Sequence, residues 1–343
     1  MSKICVISEE LALSFDEGIK NYAYNLIREL SKGNNVLALS IQGDETDGRY
    51  IKRLNVNKTF LSYCLFREIR GFDPTLILYI PSPSATIWSF VRTKILKLHG
   101  RKVKIAMVAL QPREYSFISQ KLIPFLTPDL VLVQSVSLLK QLSTFGCCAK
   151  IIPSGVDLEK FHPVTKERKL ELRGKYGTDA CKFVILHVGH INRNRNVQIL
   201  KRLQEDNNQV LIVGSTSTEQ DEDLLNGLKM AGVRVITSYV ENIEEIYQLS
   251  DCYVFPVISD TASIGVPLSV LEAMACNLPV VTTRYGGLSA MFNGERNGLF
   301  LVEELEDLST EVGKVKKFNH FETRRMTERY SWGEVAKRIL ELV

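Results

Sequence analysis

The sequence lacks several features that would indicate a membrane or nucleic-acid protein. None of its apolar runs reaches the roughly 18 residues that a bilayer-spanning helix needs. The opening MSKICVISEE runs from a strand-like segment into acids, so it does not have the pattern of a secretory signal. A net charge of +4 is too small for a nucleic-acid-binding footprint. We therefore expect a soluble, cytoplasmic protein with no nucleic-acid partner.

Metal-binding and disulfide patterns are also missing. The seven cysteines contain no CxxC pair, and the five histidines show no HxxxH or similar spacing. Most of the cysteines lie in apolar segments, so we interpret them as buried reduced thiols, in keeping with the cytoplasm. Asp221-Glu222-Asp223 has a superficial DxD pattern, but these acids open a predicted helix, whose dipole they complement. We predict no metal site and no cofactor.

The composition and the pattern of apolar segments predict two α/β domains. At 343 residues the chain exceeds the size at which a single core keeps growing. Short apolar strands alternate with helices in both halves, which is typical of a doubly wound parallel sheet. Strands are predicted at 3–8, 36–40, 76–80, 103–110, 130–134, 183–188, 210–213, 233–237, 252–255, 279–282 and 298–302. No element is assigned to residues 42–60.

The stretch 253–283 is the most informative part of the chain. It reads as a buried strand, a polar loop, a helix from Leu268 to about Cys276 and a second buried strand. Asn277 suits the left-handed position that ends a helix. A helix N-terminus at the carboxyl end of a parallel strand exposes N–H groups to a phosphate, which makes Gly265 and Val266 candidate donors. Glu272 is placed to accept from sugar hydroxyls, although such a residue is more often a solvated helix acid.

Three motifs resemble one enzyme family. The run LEAMACNLPVV (271–281) resembles the nucleotide-sugar signature of the family 4 retaining glycosyltransferases, which have the GT-B fold. The run KIIPSGVDLEKFHP (150–163) resembles the linker of that family, with Ser154 in place of Asn. RYSWGEVAKRILELV (329–343) resembles its terminal helix.

The resemblance implies two Rossmann-like domains that face each other across a cleft. The first would be an acceptor-side domain at 1–158, with the helix 329–343 packed back on it. The second would be a nucleotide-sugar-binding domain at 159–328.

The resemblance also implies roles for individual residues. His190 aligns with the Arg and Arg195 with the Lys that hold the pyrophosphate in the family, and Glu272 aligns with the acid that binds ribose. We assign these three as the candidate catalytic residues. The candidate donor-binding positions are Gly18, Gly189, Ile264, Gly265, Val266, Leu268, Gly286 and Gly287. On the acceptor side we assign Gln111 and Arg113.

The sequence departs from the family at three positions. Ile264 replaces the first of two signature carboxylates, and Ala290 stands where a Glu is common. Gln111 lies nearest to the position of a common His, and an amide cannot relay a proton. We keep Ile264 as a donor-side position, where its apolar side chain would favour a less hydroxylated sugar.

The resemblance therefore predicts a retaining, metal-independent glycosyltransferase of polysaccharide or glycolipid biosynthesis, with a nucleotide-diphosphate sugar as donor and a glycan or lipid-linked acceptor. Two alternatives stay open. The departures above favour a lapsed GT-B protein that binds a nucleotide sugar or a partner transferase, and the shared fold admits a nucleotide-sugar epimerase. Residues 88–104 interleave basic with apolar residues, so the segment is either a peripheral membrane contact or an ordinary solvated helix face.

Overall fold

The computed structural model of the protein describes residues 2–11, 17–42, 51–82, 84–98, 102–216, 221–292, 297–318 and 320–343. The chain divides into two compact units. The first comprises Met1–Ser154, Ile264–Val266 and Trp332–Val343, and the second comprises Gly155–Ser263 and Pro267–Ser331. The observed boundary lies four residues before the predicted one at 158. The short segment Ile264–Val266, predicted for the second domain, belongs to the first unit.

The first unit contains one parallel sheet with helices between its strands. Its elements are β1 (Lys3–Glu10), α1 (Gly18–Leu30), β2 (Asn35–Gln42), β3 (Ile51–Arg53), α2 (Tyr63–Phe72), β4 (Leu76–Ile80), α3 (Ile87–Lys97), β5 (Lys104–Ala109), α4 (Phe117–Leu126), β6 (Leu130–Val133), α5 (Val136–Thr144) and β7 (Ala149–Ile151). The strand order is β3-β2-β1-β4-β5-β6-β7. The order reverses between β1 and β4, which in a doubly wound sheet opens a crevice at the carboxyl ends of these strands.

The second unit repeats this architecture. Its elements are α6 (Lys166–Lys175), β8 (Phe183–Gly189), β9 (Asn208–Gly214), α7 (Glu222–Met230), β10 (Arg234–Ile236), α8 (Ile243–Leu249), β11 (Cys252–Phe255), α9 (Leu268–Ala275), β12 (Val280–Thr283), α10 (Leu288–Met291), β13 (Leu299–Val302), α11 (Leu308–Val315) and α12 (Thr323–Thr327). The parallel strands are ordered β10-β9-β8-β11-β12-β13. Here the reversal falls between β8 and β11.

The chain ends in helix α13 (Trp332–Leu342), which belongs to the first unit. Its first residue, Trp332, is buried and packs edge-on against Tyr22 of α1, with ring centroids 5.2 Å apart. Val335, Ala336 and Ile339 are buried at helical spacing, so one face of α13 packs into the unit.

All strands predicted from apolar runs are present, with ends that shift by one or two residues. Asn277 has φ +61° and follows α9, as its predicted left-handed role requires. Helices α2, α4, α10, α11 and α12 and strands β3 and β7 were not predicted. The interpretation of the cysteines as buried is right for Cys5, Cys147, Cys252 and Cys276, but wrong for the exposed Cys64, Cys148 and Cys181.

Candidate functional site

The crevice of the second sheet is formed where β8 ends and Arg195 lies over it. β8 stops at Gly189, whose φ is +153°, and a side chain there would come within 2.4 Å of Arg195 Nη1. Arg195 is 8% exposed, and its Nε donates to the carbonyl of Ala262 at 3.0 Å. Gly189 is therefore needed both for its backbone conformation and for the room that the guanidinium occupies.

The backbone that carries Arg195 is fixed by two asparagines. The Asn192 side chain accepts from the Arg195 N–H at 3.1 Å. Asn196 has the left-handed φ of +55°, and its amide donates to the carbonyl of Pro256, just after β11, at 3.1 Å. These bonds tie the loop after β8 to the loop after β11, the two loops that border the crevice. His190, the other predicted cation, is half-buried directly after β8.

A buried histidine forms the floor of this crevice. The His187 ring is fully buried and hydrogen-bonds through Nδ1 to the carbonyl of Val254 at 2.9 Å. It stacks on Tyr253, with centroids 6.3 Å apart. Burial lowers the pKa of His187 to about 4, so the imidazole is neutral at physiological pH. The positive charge at this crevice therefore comes from Arg195 and not from His187.

Glu272 lies one turn into α9, where it accepts a hydrogen bond from the buried Tyr247 hydroxyl at 2.8 Å. Desolvation is the largest influence on its carboxyl group and raises the pKa to about 7, opposed by the Tyr247 bond and by the charge of Lys160. Near neutral pH the group is therefore divided between its acid and its carboxylate, which makes its acceptor strength sensitive to pH.

The loop before α9 is held by a tyrosine that the sequence analysis did not single out. Tyr285 is 2% exposed; its hydroxyl accepts from the Ser263 N–H at 3.1 Å and donates to the Ser263 carbonyl at 2.7 Å. Because Arg195 is held by Ala262, the residue before Ser263, Tyr285 fixes the segment that positions the guanidinium. Gly286 follows with φ +53°, whereas Gly287 has a φ of −87° and is the N-cap of α10, so only Gly286 needs to be glycine for its backbone.

The proposed phosphate donors Gly265 and Val266 require a correction. The Gly265 N–H donates to the Leu110 carbonyl at 2.7 Å, and the Val266 N–H donates to Gln134 Oε1 at 2.9 Å. Both bonds lie inside the first unit. The prediction that these two groups are free for a phosphate is wrong for this conformation, because buried N–H groups are satisfied inside the chain wherever an acceptor is in reach.

The same segment explains Ser154 and Ile264. Ser154 donates to the Val266 carbonyl at 2.7 Å and accepts from Gln134 Nε2 at 2.8 Å, which closes a buried ring of hydrogen bonds. Ile264 is 2% exposed and its side chain lies 3.4 Å from the position of a β-carbon on Gly18. Ile264 is therefore a packing residue of the first unit here, and not an open donor-side contact. Leu268, the first residue of α9, is 7% exposed.

The N-terminus of α1 is already occupied by an acid of the chain. The Glu17 carboxylate accepts from the N–H groups of Ile19 and Lys20 at 3.1 and 3.0 Å. A phosphate at this position would meet a carboxylate in place of free donors. The predicted contact of Gly18 with the donor stays a prediction, since residues 12–16 of the loop before it lie outside the described part of the chain.

The two acceptor-side candidates follow β5 in the first unit. Gln111 is half-buried and its carbonyl accepts from the Ser84 hydroxyl at 2.7 Å. Arg113 is exposed, and its carbonyl accepts from Gln141 at 3.1 Å. Both residues therefore follow the carboxyl end of β5.

The Asp221 motif is a helix cap. Asp221 Oδ1 accepts from the Leu224 N–H at 2.9 Å, and this bond and the ion pair with Arg193 lower its pKa. In the part of the chain that the structure describes, no three His, Cys, Asp or Glu side chains are grouped as a metal site.

The chain is similar in sequence to known glycosyltransferases. Residues 182–316 match the family Glycosyl transferases group 1. The sulfoquinovosyl transferase of Arabidopsis thaliana is 25% identical over 378 aligned residues, which cover 98% of this chain and 72% of that enzyme. This match, which lies within the second unit, confirms the predicted resemblance to the group 1 glycosyl transferases.

Solved structures confirm the GT-B fold. Sucrose-phosphate synthase from Thermosynechococcus elongatus superposes with a TM-score of 0.78 at 17% identity, over 100% of this chain and 98% of that one. Anabaena HepE, solved in complex with UDP, superposes with a TM-score of 0.77 at 17% identity, over 99% of both chains.

Proposed function

We propose that the chain transfers a sugar from a nucleotide-diphosphate donor to an acceptor, with retention of configuration and without a metal ion. The observation that carries this proposal is the Arg195 guanidinium, held by Ala262 over Gly189 at the crevice of the second sheet. Breaking the bond between sugar and phosphate releases a diphosphate, whose growing charge must be stabilised. A guanidinium is permanently charged and offers parallel donors that match phosphate oxygens.

The other groups complete the donor site. Glu272 accepts from the ribose hydroxyls, and His190 adds a donor beside the diphosphate. The half-buried Gln111 cannot take a proton, so the leaving phosphate oxygen accepts the proton of the acceptor hydroxyl. Because the related Anabaena protein was solved with UDP and with UDP-glucose, a uridine nucleotide is the first donor to test.

The acceptor side is proposed on chemistry alone. Gln111 and the exposed Arg113 provide amide and guanidinium donors suited to hydroxyl-rich or phosphate-bearing acceptors. A glycan or a lipid-linked sugar offers both kinds of group. We propose that the protein works in the cytoplasm, in polysaccharide or glycolipid biosynthesis.

The test is calorimetric titration of the full chain with UDP, ADP and GDP, first with EDTA and then with magnesium. We expect one nucleotide to bind in EDTA, and Arg195→Ala to weaken it by about 100-fold, as loss of a charge-assisted phosphate contact implies. Arg193→Ala is the matched control, since its side chain is 68% exposed and paired with Asp221. Equal affinity of Arg195→Ala and the wild type would overturn the site, and binding that needs magnesium would overturn metal independence.

A lapsed GT-B protein is the second candidate, favoured by a specific observation. The N–H groups of Gly265 and Val266 are bonded inside the first unit, and Ile264 is packed there. Incubation of the cognate nucleotide sugar with mixed acceptors separates the two proposals. Nucleotide binding without release of diphosphate would favour the lapsed protein. Transfer with an unchanged anomeric configuration, read by proton NMR, would favour the retaining enzyme.

A further inference from the structure

Helix α4 of the first unit exposes a set of large apolar side chains that the fold does not use. Of its ten residues only Ile123 is buried. Phe117 and Ile118 are each 70% exposed, Leu122 is 46% exposed and Phe125 is 76% exposed. Isolated exposed apolar residues are common, but four on one short helix form a continuous patch. We refer to these four residues as the α4 apolar face.

The spacing of these residues shows that the patch is continuous. Ile118, Leu122 and Phe125 are separated by four and three positions, so they line one side of the helix. Phe117 lies on the adjoining turn, where the ammonium of Lys121 is 4.3 Å from its ring centroid. An aromatic and aliphatic stripe with a lysine along its border is the pattern of a helix that lies in the plane of a membrane interface.

The charge around α4 is mainly positive. Residues 88–129 contain eight Lys and Arg but two acids, whereas the whole chain carries only +4. One of those acids, Asp129, is paired with Lys97 at 2.5 Å. The exposed basic side chains include Lys94 on α3, which adjoins the C-terminal end of α4 where Thr93 donates to the Leu126 carbonyl at 3.3 Å. The α4 apolar face is therefore bordered by a segment with an excess of positive charge.

We propose that the α4 apolar face docks the protein on an anionic lipid surface. Insertion of the four side chains removes apolar area from water, while the bordering cations meet negative headgroups. The charge argues against a second copy of the chain as the partner of this face, because a symmetric dimer would bring two positively charged surfaces together. This docking does not depend on the proposed transfer reaction.

This assignment revises the membrane contact predicted at 88–104. Phe90 and Leu96 are fully buried, and Arg92 is committed to an ion pair with Glu9 at 2.5 Å. Residues 99–101 lie outside the described part of the chain. Trp88 and Leu98 are exposed, at 55% and 65%, but they stand at opposite ends of α3. No helix in the described ranges is long and apolar enough to span a bilayer, so the contact proposed is an interfacial one.

The test is sedimentation of the full chain with vesicles of phosphatidylcholine alone and of phosphatidylcholine with about one third phosphatidylglycerol. We expect binding to the anionic vesicles, weakened by salt, and little binding to the neutral ones. Ile118→Ser with Phe125→Ser should lower binding by about tenfold or more, since each removes exposed apolar area that would insert. Lys94→Glu with Lys121→Glu should lower it on the anionic vesicles.

The matched control is Leu170→Ser with Met230→Ser, which removes two exposed apolar residues, 53% and 89% exposed, from the second unit. It should bind vesicles like the wild type, and all variants should keep the wild-type melting temperature and nucleotide affinity. Three results would overturn the proposal. These are no binding to either vesicle, equal loss in the control pair, or a lipid-free dimer, seen by light scattering, that the Ile118/Phe125 variant abolishes.

Discussion

The two units place opposite chemistry at equivalent positions of the same architecture. In the second unit the loop after the central strand β8 holds Arg195 over Gly189. In the first unit the loop after the central strand β1 leads to Glu17, whose carboxylate caps α1. The nearby Lys20 is paired with Glu10 at 2.9 Å. The crevice of the second unit thus presents a guanidinium. In the first unit, a carboxylate already binds the N-terminus of α1.

The difference shows that the doubly wound sheet does not by itself create a phosphate site. The topology provides a crevice and a helix N-terminus twice, but the side chains of the first loop decide whether an anion can enter. The two units also differ in the role of the glycine near each crevice. Gly189 makes room for a cation, whereas Gly18 packs against Ile264.

The largest expected effect comes from Gly189. Gly189→Ala places a β-carbon 2.4 Å from Arg195 Nη1 at φ +153°, so the guanidinium or the backbone must move. Backbone strain of about 1–3 kcal/mol is usual for such a position. We expect calorimetry to show nucleotide affinity reduced by about 10- to 100-fold, because the strain destabilises the conformation in which Arg195 binds the nucleotide.

Gly18→Ala is the paired substitution in the first unit. Its β-carbon would meet Ile264 at 3.4 Å, an ordinary contact, and alanine favours the first turn of α1. We expect its nucleotide affinity and its unfolding midpoint in urea to equal or slightly exceed those of the wild type. If both alanine variants lose nucleotide binding equally, the contrast between the two crevices is wrong.

The next effect concerns the pH dependence of Glu272. Its pKa rises from 4.5 in the unfolded chain to about 7 in the folded protein. The folded state therefore binds more protons between these two values, and its stability falls as pH rises through that window. Glu272→Gln removes this dependence, so the variant should be more stable than the wild type at pH 8 by about 1–3 kcal/mol, and no more stable at pH 4.

Donor binding should show the opposite trend with pH. The carboxylate is the better acceptor for ribose hydroxyls, so wild-type nucleotide affinity should increase from pH 6 to pH 8, while Glu272→Gln stays weak and nearly constant. Urea unfolding and calorimetry at these pH values measure both trends. Tyr247→Phe is the control, because it keeps the acid but removes its hydrogen-bond donor. A wild-type stability that does not change between pH 5 and pH 8 would contradict the assignment.

A smaller effect is expected for Tyr285→Phe. The variant loses the bonds to the N–H and carbonyl of Ser263 and leaves a buried N–H without its acceptor, which costs about 1–3 kcal/mol of unfolding free energy. Nucleotide affinity should fall by only a few-fold, because Arg195 is still bonded to Ala262. Tyr176→Phe, at a hydroxyl bonded to Glu245 away from the crevice, is the control for stability without an effect on affinity. Equal affinities of the two variants would remove Tyr285 from the site.

The fold was predictable where the chain is locally consistent. Strand β4 (Leu76–Ile80) and strand β11 (Cys252–Phe255) were predicted with the bounds that the structure has. Helix α4 was missed because Pro124 interrupts its pattern and its apolar residues point to solvent. A periodicity argument assumes that apolar residues face the core, and here they do not.

The sequence by itself determined two parallel α/β domains, the resemblance of the second to a glycosyltransferase family, and the candidate residues for binding a diphosphate and a ribose. These features are encoded in short runs of neighbouring residues. Only the tertiary structure decided which of those groups are available. The acceptor of the Val266 N–H is Gln134, 132 residues away in the chain. Similarly, Arg195 is held by Ala262, 67 residues away. Spacing along a sequence cannot reveal such partners, because a hydrogen bond depends on distance in space.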